Sequence, residues 1–253
     1  MTTTDRVALV TGGTGGVGQA VCLDLAAQGY RVAFTYHRNA GKAEILEDKL
    51  RGLGTTCMSR NPDLSEPDQA DAFVAEALGT FGRIDAVVHA SGPYVDQRFV
   101  SSFDSDQFQR HVRQELGAFY ELVRTTLPHL RDTRGSLTAV TTMALRRFPA
   151  RDALSSVPKG AIEALVRAVA VEEGRFGIRA NAVGPGVLAD GMGVGLAATG
   201  DVPPEMRTAV ERQVPLRRLG RGEEVAAMVC FLISDAASYV TGQMIDVDGG
   251  YGL

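Results

Sequence analysis

Two stretches of this chain carry residue types that could do chemistry together. VALVTGGTGGVGQAV, residues 7–21, packs five glycines between two apolar runs. Glycines there let a backbone turn tightly and approach a pyrophosphate, whose charge the free amides at a helix N-terminus stabilise. ALSSVPKGAIEAL, residues 153–165, places Lys159 just inside a small-residue helix entrance, with Ser155 four positions earlier and Pro158 directly before it. By itself that second stretch is an ordinary helix start.

Other polar residues fall where strands end. FTYHRN closes the second apolar run and holds Arg38, beside His37; a guanidinium suits a phosphate through charge-assisted hydrogen bonds. VVHASGPYV carries His89, which has a titration range suited to acid/base work but at a strand end reads first as a residue that packs against a ligand or hydrogen-bonds locally, followed by Ala90, Ser91 and Tyr94. Arg146 and Arg147 in MALRRFPARD are either ligands for an acidic or polyphenolic substrate or solvated loop charges. Asp190 is either an acid/base group or a helix N-cap. His37, His111 and His129 read as surface positions, and Tyr120 and Tyr239 as helical or core residues.

The elements that must position these groups follow from periodicity. Short apolar runs at 6–11, 31–36, 55–60, 84–89, 136–141, 178–183 and 244–247 read as strands. Helix-period segments at 17–28, 40–53, 67–79, 105–130, 159–173 and 223–234 alternate with them. Such alternation predicts an α/β fold, a doubly wound parallel sheet of about seven strands with helices on both faces. Residues 1–253 form one domain on this reading, and the irregular Gly- and Pro-containing stretch 184–215 is a substrate lid.

Bulk properties narrow the partners. A net charge of -4, with no basic stripe, argues against nucleic acid or an anionic membrane and for a small-molecule substrate. Cys22, Cys57 and Cys230 are odd in number, far apart and without metal-ligand spacing, so no metal and reduced thiols of a cytoplasmic protein are expected.

The spacing Thr11-Gly12-x-x-x-Gly16-x-Gly18 departs from G-x-G-x-x-G and resembles the TGxxxGxG loop of the short-chain dehydrogenase/reductase family. NPDL, NAVGPGVL and SDAASYVTGQMIDVDGG resemble further motifs of that family in the same order, so the likeness spans essentially the whole chain. It implies a nicotinamide dinucleotide held by Gly12, Thr14, Gly16, Val17 and Gly18, by Asp63 and Leu64 at the adenine, by His89, Ala90 and Ser91, and by Pro185, Gly186 and Val187 at the carboxamide. NAD-binding members carry an acid at the position of Tyr36; here none stands there and Arg38 follows, so NADP(H) is expected over NAD(H). The resemblance also implies a homodimer or homotetramer through the helices beginning at Ser105 and Lys159.

The family's catalytic set maps onto this chain with losses. Lys159 matches the lysine that holds the ribose, but Ser155 stands at the tyrosine position, Thr142 at the serine and Gln114 at the asparagine. Thr142 keeps a hydrogen-bond donor and Gln114 an amide; Ser155 is a far weaker acid than a phenol and a whole ring shorter. In the register of the family's enoyl reductases, the tyrosine position is Asp152. The expected activity is therefore atypical reduction of a ketone, quinone or conjugated alkene. Solvent, a substrate hydroxyl, His89 or Tyr94 as a displaced acid would give the proton. A non-redox cyclase, dehydratase or isomerase, or a catalytically silent homologue, remains the alternative.

Overall fold

The computed structural model describes residues 5–189 and 204–253. Its elements run β1 (Val7–Thr11), α1 (Gly16–Ala27), β2 (Arg31–Thr35), α2 (Ala40–Gly52), β3 (Cys57–Arg60), α3 (Pro67–Phe81), β4 (Ala86–His89), α4 (Ser105–Val112), a π turn (Arg113–Gly117) and α5 (Ala118–Thr133). After these come β5 (Ser136–Val140), α6 (Ala153–Glu173), β6 (Arg179–Pro185), α7 (Pro204–Gln213), α8 (Gly222–Ile233) and β7 (Met244–Val247).

The strands form one parallel sheet in the order β3-β2-β1-β4-β5-β6-β7. β1 and β4 are buried on both faces, which is why they read as unbroken apolar runs rather than alternating ones. On one face Leu25, Phe34, Leu46 and Val225 pack among α1, α2 and α8. On the other, Phe73, Phe119, Leu122, Ile162 and Val166 join α3, α5 and α6. Local signals agree: Asn39 and Asp104 cap α2 and α4 by accepting from the amides of Lys42 and Gln107, and α3 opens on Pro67 and stops at left-handed Gly82.

Winding reverses between neighbours β1 and β4, leaving a crevice beyond their carboxyl ends, where open α/β sheets bind ligands. No helix among the described residues is long and apolar enough to cross a membrane.

Three expectations change. The helix bearing Lys159 starts at Ala153, so Lys159 lies in its second turn and Ser155 in its first. The single helix expected over 105–130 is two helices joined by the π turn, and it reaches Thr133. Part of 184–215 is regular: β6 runs to Pro185, Leu188 bridges to Gly220, and α7 covers 204–213. The remainder of the expected lid, with Asp190, lies outside the described residues.

Candidate active site

The glycine loop bends back on itself at the end of β1. Gly12 has φ +70, and a Cβ on it would lie 2.7 Å from the Ala90 carbonyl oxygen; one on Gly18 would strike the Gly12 carbonyl. Only glycine fits either place. Gly15 precedes α1 without any side-chain cap, so the first amides of that helix have no side-chain partner and face the crevice's phosphate-sized turn. A close-packed glycine turn leading into an uncapped helix N-terminus fits the pyrophosphate of a dinucleotide. Thr14 and Val17 are half-buried along it.

Thr11 ties the two central strands together. Its Oγ1 receives the amides of Ala90 (3.1 Å) and Ser91 (3.2 Å) and the Ser91 hydroxyl (2.8 Å). The same oxygen lies 3.1 Å from His89 Nδ1, within hydrogen-bonding distance. His89 is 1% exposed, packs on Phe119 and leaves Nε2 without a partner. Burial, then the Lys159 charge, push its proton affinity down to about 3. It therefore stays neutral near neutral pH, in keeping with the reading of His89 as a residue that hydrogen-bonds locally rather than as an acid.

Facing this loop, Lys159 Nζ donates to Glu115 Oε1 at 2.7 Å, with side-chain exposures of 13% and 1%. Glu115 Oε2 is buried without a partner, against Gly92, where a Cβ would come within 2.7 Å of it. Glu115 belongs to the π turn, whereas Gln114, expected at this place, is exposed. A π turn holds one residue more than an α turn, so the inward position moves on from 114 to 115. An acid in the otherwise apolar stretch LGAF was the signal that could have found it. His111, expected on the surface, is buried one turn earlier, and burial pushes its affinity for protons down.

Ser155 shares the Lys159 face of α6 by its i, i+4 spacing and is 9% exposed. Thr142 follows β5; its Oγ1 accepts from the Ala144 amide at 3.1 Å, which leaves its hydrogen free to be donated. Asp152 accepts from the Ser156 hydroxyl and from Gln97, so it serves the start of α6. Tyr94 is 53% exposed in the loop after β4, and Tyr239 is fully exposed rather than in the core.

At the cofactor's expected outer end, Asp63 receives the Ser65 amide and hydroxyl while Leu64 is buried. His37 and Arg38 are exposed beyond β2, and among the described residues nothing pairs with Arg38. Gly186 is packed on Asp248, between Pro185 and the more exposed Val187. Neither loop arginine is loose: Arg146 pairs with buried Glu163 (3.3 Å) and with Asp246 (3.2 Å), while Arg147 stacks on Tyr251 and donates to Gln213. Glu163 also accepts from Thr141, and burial raises the Asp246 carboxyl.

A reversed sheet order with a glycine cradle at the turning point defines a dinucleotide-binding protein of the Rossmann type. Comparison with known proteins agrees and goes further. Residues 12–252 match the family model described as enoyl-(acyl carrier protein) reductase. The chain is 33% identical to versicolorin reductase of Emericella nidulans, covering 97% of this chain and 95% of that protein. It is 28% identical to the 3-oxoacyl-acyl-carrier-protein reductase of Staphylococcus epidermidis, over 97% and 98%. The crystal structure of levodione reductase superposes with a TM-score of 0.93 at 28% identity, over 98% of each chain. The chain belongs to the short-chain dehydrogenase/reductase family, whose members use a nicotinamide cofactor.

Proposed function

We propose that this protein is an NADP(H)-dependent reductase acting on a ketone, quinone or conjugated alkene of a small molecule, without the family's phenolic acid. The observation that carries this reading is the cradle of Gly12 and Gly18 opening onto the uncapped start of α1, at the same sheet edge as Lys159. The versicolorin, 3-oxoacyl and levodione reductases it resembles support the same direction, and the 3-oxoacyl substrate of one is a ketone.

In this reading the α1 amides hold the pyrophosphate, Asp63 and Leu64 the adenine, Lys159 the ribose, and Pro185 to Val187 the carboxamide. When bound, the dinucleotide supplies a hydride. Arg38, exposed and unpaired among the described residues, is placed to meet a 2'-phosphate, with His37 beside it. Thr142 donates a hydrogen bond to the substrate oxygen, and Ser155 leaves room for that oxygen beside α6. Tyr94 and Gln114 are exposed, which favours the lysine's buried surroundings over either of them as the centre of the chemistry. Loss of a phenol slows such chemistry without forbidding it, since a general acid contributes about 100- to 10,000-fold.

The same reading includes self-association through α5 and α6, where Tyr120, Val157 and Val171 are exposed. Light scattering at the mass of a dimer or tetramer is the expected result, and a single-chain mass counts against it. For the activity, nicotinamide fluorescence should rise on mixing with NADPH. Loss of reduced-nicotinamide absorbance should follow with a panel of quinones and cyclic ketones, the product gaining two hydrogens. A product isomeric with its substrate would instead indicate a non-redox enzyme.

A further inference from the structure

Ser155 gives α6 no ring over the Lys159 ammonium, so the site needs an acid from elsewhere. Its neighbours narrow the choice. Three ionisable groups share the surroundings of Nζ: Glu115 from the π turn, His111 from α4 and His89 from the end of β4. Burial pushes both imidazoles toward the neutral form and the Lys159 charge acts the same way on each, against an opposing pull of Glu115 on His111. Neither is therefore favoured as an imidazolium donor at neutral pH.

We propose that Lys159 is itself the proton donor of this site and that Glu115 is its positioning residue, an assignment that rests on the reductase reading above. Glu115 accepts from Nζ at 2.7 Å through one oxygen, and its second oxygen is buried without a hydrogen-bond partner. Glu115 cannot swing away freely, because it is 1% exposed and lies against Gly92. An alkylammonium, with a reference value of about 10.4, is nearly as good an acid as a phenol at about 10, whereas an aliphatic hydroxyl is far weaker.

The step balances with NADPH as the reductant of the reading above and water as the final proton source. A hydride from the reduced nicotinamide would form the new C–H bond at the carbonyl carbon, while the C=O π pair passes to the substrate oxygen, which forms an O–H bond with a proton from Nζ. The N–H bond breaks, its pair stays on nitrogen, and the neutral amine takes a proton back from water. Glu115 holds the nitrogen through both halves of this exchange.

The test uses the full chain and reads something besides turnover. Lys42, Lys49 and Lys159 are the only lysines, so trinitrobenzenesulfonate labelling followed by peptide mass spectrometry resolves each one. Lys42 and Lys49 are exposed and should label fast in every variant. Lys159 should label slowly in the unaltered protein and at least about fivefold faster in Glu115→Gln, which removes the charge that holds it. With NADPH and phenanthrenequinone, Glu115→Gln should lower kcat about tenfold or more while the KM for NADPH stays within about threefold. Adding Ser155→Tyr to Glu115→Gln should restore most of that kcat, which a purely structural defect would not allow. Should Glu115→Gln fail to fold, Glu115→Asp, which keeps the charge, replaces it and should lose kcat less. An unchanged kcat, an unchanged Lys159 labelling rate, or no rescue by the tyrosine each overturns the proposal. An unaltered protein that neither binds NADPH nor consumes it overturns the reductase reading first and this proposal with it.

Discussion

The Thr11 hydroxyl and Nδ1 of His89 share a hydrogen bond at 3.1 Å, joining the last residues of the two strands between which the sheet reverses. This hydrogen bond orients the imidazole, while its other nitrogen is buried without a partner.

Acid should therefore destabilise the fold through His89. In the unfolded chain the imidazole gains a proton near 6.5, whereas in the folded protein burial and Lys159 delay this to about 3. The unfolded state then binds more protons between those values, so stability falls as pH drops through that window, by about 2 kcal/mol between pH 7 and pH 5. Urea unfolding at both pH values checks this: His89→Asn, which cannot titrate, should show a smaller loss than the unaltered protein. Equal losses would count against it.

Removing Glu115 should cost far more than removing its neighbour. Glu115→Ala leaves a buried ammonium unpaired and should lower unfolding free energy by about 3 kcal/mol, while Gln114→Ala, on the exposed side of the π turn, should stay within about 0.5 kcal/mol. Chemical denaturation of the two variants measures the difference, and comparable losses would contradict the placement of the pair.

Glycines divide in the same way. Gly18→Ala drives a methyl into the Gly12 carbonyl and should weaken NADPH binding at least about 100-fold, as the cradle opens. Gly79→Ala, inside α3 with nothing within 4 Å of the new methyl, should bind NADPH normally and gain about 0.5–1 kcal/mol of stability. Fluorescence titration and thermal unfolding separate the two sites.

Cofactor choice is expected to follow Arg38. Arg38→Asp should weaken NADPH and spare or improve NADH, because a carboxylate repels a 2'-phosphate and accepts from ribose hydroxyls. Unchanged affinities for both nucleotides would remove Arg38 from the site.

Much of this architecture was legible in the sequence, for physical reasons. Val7–Val10 and Ala86–Val88 are apolar throughout because both sheet faces bury them, and the glycine spacing marked a turn that no side chain could occupy. What stayed hidden depended on register and on partners distant in the chain. A π turn is invisible to helix periodicity, so the count that reached Gln114 fell one residue short of Glu115. The neutral state of His89 follows from burial, and the tethering of Arg146 from Glu163 and Asp246, which no local pattern reveals. The start of α6 was placed six residues late because small residues and Pro158 weaken the helical signal over its first turns.

The most direct test follows the hydride. The protein is incubated with NADPH deuterated at the transferable position of the nicotinamide and with a ketone that it reduces. Mass spectrometry should find one deuterium on the former carbonyl carbon and a hydrogen from water on the oxygen. A product without deuterium, or a rearranged substrate of unchanged mass, would contradict a reductase.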